Sequence, residues 1–242
     1  MSKNRILSRF PKKRPTLTPE YQAIYLKWMQ INRGGAIKTT SLSTRLEQWM
    51  HRKMIADLPK YSSEDKIETL ELGAGTLNHL DFDQRSNAYD VVEPSENLLS
   101  IAKNRSRVRQ VFADLDHVSE GALYDRVISI AVLEHLEDLP GAVDQCIRHL
   151  KPGGVFRAAI PSEGTITWKM GWSLTTARAF RNLYQLDYEK LMQYEHINTA
   201  KEIVEVSRCY FKDVKLSSFG LCPSLSFYQF IEARNPIQPN PS

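Results

Sequence analysis

Glu71-Leu72-Gly73-Ala74-Gly75-Thr76 stands where the first strongly apolar stretch, Ile67–Leu72, gives way to polar sequence. Six residues rich in aliphatic side chains and followed at once by two spaced glycines read as a strand ending in a tight turn. Glycine there lets the main chain approach a ligand closely, and a helix begun at such a turn offers unpaired N–H groups. A full dinucleotide fingerprint would need a third glycine three positions after Gly75, where Asn78 stands, which argues against NAD. Glu93 lies 20 residues beyond Gly73, at the end of a second apolar run, 89–92. That is where doubly wound sheets put the acid that grips ribose hydroxyls, a carboxylate being able to accept from both oxygens of a vicinal diol. A third run, 108–112, is followed by Asp114, whose carboxylate can accept from an adenine amino group. Three successive strand ends thus present glycine, acid and acid along one edge.

Outward from this edge, further runs at 126–131 and 155–160 alternate with helical patterns, so the expected fold class is α/β with a doubly wound, mostly parallel sheet. Leu139, Val143, Cys146, Ile147 and Leu150 form a helical stripe that Pro152-Gly153-Gly154 terminates. The stretch 161–194 breaks the alternation, is rich in Trp, Tyr and Arg, and reads as a lid inserted after the fifth strand. Thr199-x-x-Glu202 is a capping box for another helix. Runs at 214–216 and 225–231, separated by a Gly220/Pro223 loop, supply two closing strands and bring the sheet to seven.

The 242 residues carry a net charge of +4 that is unevenly distributed. Lys3, Arg5, Arg9, Lys12, Lys13 and Arg14 precede the first acid, Glu20, and the rest of the chain is at −2. Residues 1–15 are therefore expected to form a basic flexible arm, with weak membrane-surface contact as its one foreseeable partner and no nucleic acid expected. Residues 16–60 read as an N-terminal helical cap. Thr18-Pro19-Glu20 opens one helix, which should stop at Asn32-Arg33-Gly34-Gly35, and a Thr44-x-x-Glu47 capping box opens a second. The main domain is expected over 61–234, with a disordered tail at 235–242. Three scattered cysteines without a C-x-x-C pair indicate neither a disulfide framework nor a zinc cluster. With no signal-peptide pattern and no apolar run of bilayer length, a cytoplasmic location is expected.

In its motifs the chain resembles the class I S-adenosylmethionine-dependent methyltransferases. The resemblance rests on the turn at 70–75, Val91-Val92-Glu93-Pro94, Ala113-Asp114-Leu115, Tyr124-Asp125-Arg126-Val127-Ile128 with Val132-Leu133-Glu134-His135-Leu136, and Leu150-Lys151-Pro152-Gly153-Gly154-Val155-Phe156. It implies a Rossmann-like methyltransferase fold with S-adenosyl-L-methionine as cofactor. It also implies Glu71, Gly73, Ala74 and Gly75 near the methionine portion, Glu93 at ribose, Asp114 and Leu115 at adenine, and Ala131 beside the sulfonium. Leu77 departs from the pattern, since many relatives have glycine there. Ile160-Pro161-Ser162-Glu163-Gly164 and Tyr194-Glu195-His196-Ile197-Asn198 are similar to methyltransferases encoded among bacterial surface-polysaccharide genes. O-methylation of a small or sugar-like acceptor, such as a surface glycan or its precursor, is the leading expectation. An RNA or protein methyltransferase, or a cofactor-binding scaffold without catalysis, are the alternatives.

Methyl transfer from a sulfonium is an in-line displacement that asks chiefly for alignment and exclusion of water. A hydroxyl acceptor adds the need for a base, and His196 and His135, each preceded by glutamate, are the candidates. Their alternative role is structural, in capping or packing. No metal site is signalled. His51, His79, His117 and His149 are expected at the surface or at helix ends. Trp168, Trp172, Tyr184 and Tyr188 line an acceptor pocket or form the lid's own core, and Arg178 and Arg181 are candidates to meet an anionic group.

Overall fold

A computed structural model describes residues 3–33, 41–62 and 65–237. Seven strands form one sheet: β1 (Ile67–Leu72), β2 (Ser86–Val92), β3 (Gln110–Phe112), β4 (Tyr124–Ile130), β5 (Leu150–Pro161), β6 (Phe211–Cys222) and β7 (Leu225–Pro236). Their order is β3-β2-β1-β4-β5-β7-β6, with β1 to β5 mutually parallel and β7 antiparallel to both β5 and β6. The chain reverses direction of winding between β3 and β4, which leaves the carboxyl ends of β1, β2 and β4 open side by side. All seven expected strands are present. The last two form a hairpin turning at Pro223 and Ser224, with Gly220 inside β6 at a register shift rather than in the loop.

Nine α-helices lie among the described residues: α1 (Lys3–Leu7), α2 (Pro19–Arg33), α3 (Ser41–Met54), α4 (Glu96–Ser100), α5 (Leu139–Arg148), α6 (Ile166–Leu174), α7 (Thr176–Tyr184), α8 (Tyr188–Glu195) and α9 (Ala200–Tyr210). One sheet face packs on α1, α5 and α9 through Leu70, Leu72, Val127 and Phe156 against Ile6, Val143 and Ile203. The opposite face packs on the end of α3 and the loops beyond β1 and β2, through Met54, Leu77, Tyr89, Val91 and Ile128. Arg126 and Arg157 are buried beneath α3, and both donate to Met54 O at 2.8 Å, satisfying a carbonyl at the negative end of that helix. Asp83 at 3.0 Å from Arg126 and Asp57 at 2.5 Å from Arg157 balance the charge.

Several expectations are corrected. The second N-terminal helix begins at Ser41, so Thr44 lies inside it and is not its cap. The helix expected after the glycine turn is only a four-residue 3-10 turn, Asn78–Asp81. Of the surface or helix-end placement expected for His51 and His79, the helix-end one holds, in the last turn of α3 and in the 3-10 turn Asn78–Asp81, but both are buried with their Nδ1 atoms 3.0 Å apart, and burial lowers their pKa to about 4 and about 3. Gly34 and Gly35, and residues 238–242 of the expected tail, lie outside the described residues, whereas Asn235 and Pro236 belong to β7.

The expected flexible arm is docked over residues 3–15. Ile6 is 6% exposed and joins the main core, with Leu7 and Phe10 packed against it. Lys12 Nζ donates to Glu202 at 2.7 Å and to Ile197 O at 2.7 Å, Arg9 pairs with Glu202 and Glu205, and Arg14 donates to His135 O at 2.8 Å. The physical reason is complementarity: cations that look solvated in sequence meet acids on α9, and one helical turn supplies an apolar anchor. Lys3, Arg5 and Lys13 stay exposed on the docked arm. No described helix is long and apolar enough to cross a membrane.

Candidate functional site

Backbone hydrogen bonds at the carboxyl edge fix the expected cofactor residues in one row. Gly73 N donates to Val92 O at 2.8 Å, Glu93 N to Phe112 O at 2.9 Å, and Ala131 N to Ala159 O at 2.8 Å. The turn after β1, the acid after β2 and the end of β4 are thereby held beside one another. Gly73 has φ +71° and a Cβ there would lie 2.3 Å from Val132 Cγ2, so it is required by backbone conformation and by close approach of the β4 exit. Gly75 has φ +53° and nothing within 4 Å of the position a Cβ would take. Its left-handed turn leaves an open cradle. Replacing Gly73 by alanine is expected to cost about 1–3 kcal/mol, seen as a lower melting temperature, with weakened cofactor affinity.

Glu93 is 8% exposed; Oε2 accepts from Gly75 N at 2.7 Å and Oε1 from Ser95 N at 2.9 Å. Two main-chain donors orient the carboxylate and leave lone pairs for a diol. Asp114 is exposed after β3, accepting from His117 N at 3.1 Å and lying 2.6 Å from its ring Nδ1. His117 is thus at the surface as expected. Leu115 is 7% exposed within the core beneath this edge, and Ala74 is 8% exposed in the other core. Glu71 lies deeper than the rest: it is fully enclosed, accepts from Tyr89 Oη at 2.8 Å, and burial raises its pKa to about 8. Its carboxyl packs on the sheet face that carries Tyr89 and shows little of itself to solvent. Leu77 takes the left-handed conformation, φ 61°, that glycine adopts freely, and its complete burial offsets the strain. Ala131 is likewise left-handed, φ 53°.

His135 and His196 come together, their ring centroids 5.0 Å apart at 67°. His135 ends the turn 133–135 that follows β4, and His196 is the C-cap of α8. Asn198 Nδ2 donates to Leu133 O and Leu136 O, and Ile197 N and Asn198 N donate to Glu134 O, so the two segments are stitched together. His135 Nδ1 is 2.7 Å from Glu195 O, and His196 Nδ1 is 2.9 Å from Glu163 Oε2. Trp168 Nε1 donates to the same Glu163 oxygen at 2.6 Å, and its ring stacks near that of His196. Burial pushes the His196 pKa down, but the hydrogen bond to Glu163 and the charges of Glu134, Glu163 and Glu195 outweigh it and raise the value. Glu134 is 1% exposed and burial raises its pKa; Oε2 has no hydrogen-bond partner.

The insertion consists of α6, α7 and α8. Phe180, Tyr188, Leu191 and Met192 form its own small core with Leu17 and Tyr21, and Trp168, Trp172 and Tyr184 pack against it. Most of the aromatic residues are therefore structural. A cavity of about 560 Å³ opens beside them, lined by Glu163, Thr165, Lys169, Trp172, Met192 and His196 among others. Arg178 and Arg181 are exposed on α7 and do not line it. Sequence reasoning missed Glu134 and Glu163 as parts of the site. The glutamate before His135 and the acid in the Ser162-Glu163-Gly164 turn were the available signals.

Residues 46–205 match a family model described as a methyltransferase domain. The chain is similar to the malonyl-[acyl-carrier protein] O-methyltransferase of Acetivibrio thermocellus, 28% identical over 159 residues, which cover 63% of this chain and 54% of that one. A protein of the same name from Bacillus anthracis is 29% identical over 104 residues, covering 40% and 38%. The chain thus spans about half, or less, of the length of these relatives. In backbone it is similar to N-methyltransferase NodS from Bradyrhizobium japonicum with bound S-adenosyl-L-homocysteine, with a TM-score of 0.59 at 13% identity over 91% of this chain and 100% of that one. It is also similar to magnesium protoporphyrin IX methyltransferase from Synechocystis, with a TM-score of 0.57 at 13% identity over 96% and 99%.

Proposed function

The chain belongs to the class I S-adenosylmethionine-dependent methyltransferases, and from that premise we propose that it O-methylates a small or sugar-like acceptor held between the histidine pair and the helical insertion. The observation that carries this reading is the cavity beside α6 and α8, whose wall includes His196 with Nδ1 anchored on Glu163. Its volume suits a small molecule or one or two sugar rings. The O-methyltransferase names of the curated relatives support oxygen as the methylated atom. A surface glycan or its precursor is the acceptor class we favour, from the resemblance of the Ser162-Glu163-Gly164 and Glu195-His196-Ile197-Asn198 segments.

The cofactor's contribution is an electrophilic methyl carbon on a sulfonium. The residues present fit such a group. The open cradle at Gly75 admits close main-chain approach, Glu93, held by Gly75 N, would accept from ribose hydroxyls, and Asp114 would accept from the adenine amino group. Ala131 and the turn after it connect this edge to His135, four residues on. His196, or failing that His135, takes the acceptor's hydroxyl proton as the methyl group arrives: each has Nδ1 committed and keeps Nε2 free to accept it. Alignment and exclusion of water are left to the insertion.

Calorimetry tests the cofactor half. Glu93→Ala is expected to weaken S-adenosylmethionine binding by about 10–100-fold, the loss of two charge-assisted hydrogen bonds, in a chain that still folds but melts at a lower temperature because Gly75 N and Ser95 N lose their acceptor. Unaltered affinity would remove the ribose assignment. The acceptor half is tested by incubating cell extracts with labelled cofactor and identifying the product; label confined to RNA or protein would overturn the small-acceptor reading.

A further inference from the structure

Glu134, His135 and His196 each bring one potential ligand atom into a group whose members lie within 4.8 Å of one another. We infer that these three side chains form a binding site for a divalent transition-metal ion at the acceptor end of the cleft. The inference deepens the function proposed above and rests on it for the role of the ion, but not for its binding.

The tautomers are the first part of the argument. A carbonyl oxygen only accepts, so the 2.7 Å contact from His135 Nδ1 to Glu195 O places the proton on Nδ1 and the free lone pair on Nε2. The carboxylate of Glu163 does the same for His196 through its 2.9 Å contact. Ligating histidines are characteristically held in this way, with the second ring nitrogen donating to a carbonyl or carboxylate that fixes tautomer and orientation. Here both histidines have that support, one of each kind. The stitching of 133–136 to 196–198 means the two rings are positioned before any ion arrives.

Glu134 supplies the second, independent part. Its carboxyl is 1% exposed and Oε2 has no hydrogen-bond partner, an unfavourable state for a buried acceptor. The other oxygen, Oε1, lies 3.8 Å from His135 Nε2. Bonds of about 2.1 Å to one tetrahedral ion set ligand atoms about 3.4 Å apart, so this pair needs a small contraction, and separations of up to 4.8 Å elsewhere in the group a larger one by side-chain rotation. Among the described residues no lysine or arginine is ion-paired with Glu134, Glu163 or Glu195. Three carboxylates around two imidazoles without a paired fixed cation make the locale favourable for a positive ion. Two imidazoles and one carboxylate suit zinc, manganese or ferrous ion, and three protein ligands leave coordination positions for an acceptor oxygen. With both Nε2 lone pairs on the ion, the proton of an acceptor hydroxyl bound there goes to solvent rather than to a histidine, since a coordinated divalent ion lowers the pKa of bound oxygen.

The test uses the full chain, freed of metal by dialysis against a chelator, and titrates Zn²⁺ or Mn²⁺ alone by calorimetry. One equivalent is expected, with affinity falling at least tenfold in Glu134→Gln and in His196→Ala, each checked for folding by its melting curve. Glu163→Gln, which keeps an acceptor for His196 but removes the charge, is expected to bind about 10–100-fold more weakly. Cys222→Ser, which removes the exposed thiol, should bind as wild type. Absence of binding, or binding untouched by both Glu134→Gln and His196→Ala, overturns the site. Binding at the site without methyl transfer to any acceptor supports it and fails the functional reading alone. Methyl transfer that persists undiminished in chelator, in a chain that binds no metal, does the reverse.

Discussion

His196→Ala is expected to lower turnover on the identified acceptor by about 10²–10⁴-fold while leaving affinity for S-adenosylmethionine within about twofold. The split follows from geometry. His196 belongs to the segment that returns from the insertion, whereas Gly73, Gly75 and Glu93, the residues proposed to hold the cofactor, sit across the edge on the exits of β1 and β2. A side chain that acts on the acceptor oxygen is used in the transition state and not in holding the cofactor. A merely structural histidine gives a different pattern, because losing its contacts with Glu163 and Trp168 would loosen α6 against α8 and activity would fall in step with the folded fraction. Steady-state kinetics, cofactor calorimetry and a melting curve on one variant separate the two. Glu163→Gln sharpens the comparison, since an amide oxygen still accepts from Nδ1. It should keep the fold and lose an intermediate part of the turnover, whereas equal turnover in wild type and both variants would remove the pair from the chemistry.

The strands were legible because each carries a short, mainly apolar stretch set off by turn residues, and the alternation of the first five with helical patterns is what a parallel sheet requires. The acids at 93 and 114 were legible from spacing, since each strand-to-strand unit in this half of the sheet takes about twenty residues. What escaped is what depends on partners distant in sequence. Glu71 looks in sequence like the acids at 93 and 114, yet it lies within β1, on the sheet face it shares with Tyr89 and Val91, whereas the other two stand beyond the ends of their strands. His51 and His79 form a buried pair across 28 residues, and neither has a local signal that distinguishes it from a surface histidine. The joining of His135 to His196 needed the 133–136 turn and the 196–198 segment to meet over a separation of about sixty residues; only the preceding glutamates hinted at it. The basic arm was misread for the same reason, its acids lying nearly two hundred residues away.

Removal of residues 1–15 is expected to lower the melting temperature by about 5–15 °C. Ile6 alone, buried in the main core, is worth about 1.5–3 kcal/mol, and Leu7 and Phe10 add partly buried area. For a domain of this size each kcal/mol moves the midpoint by about 2–4 °C. Truncation also strips Glu202 of Arg9 and Lys12, leaving a half-buried carboxylate with only the Thr199 donors of its capping box. The acid limb of the stability curve gives an independent reading of that pair. Burial by itself would raise the Glu202 pKa, but Lys12 and the Thr199 donors together bring it down to about 2, below the 4.5 of a free glutamate. A carboxylate held lower in the folded chain contributes stability that is fully present above about pH 4.5 and is lost as pH falls toward 2. The full chain should therefore lose stability steeply through that window, and the truncated chain less steeply, because the cation that held the group ionised is gone. Lys12→Met in the full chain should reproduce the shallower acid limb with a much smaller fall in melting temperature, since Ile6 stays docked. A truncated chain that melts with the wild type and shows the same acid dependence would mean that the arm spends its time off the surface of α9, and that Glu202 draws its low pKa from the capping box alone.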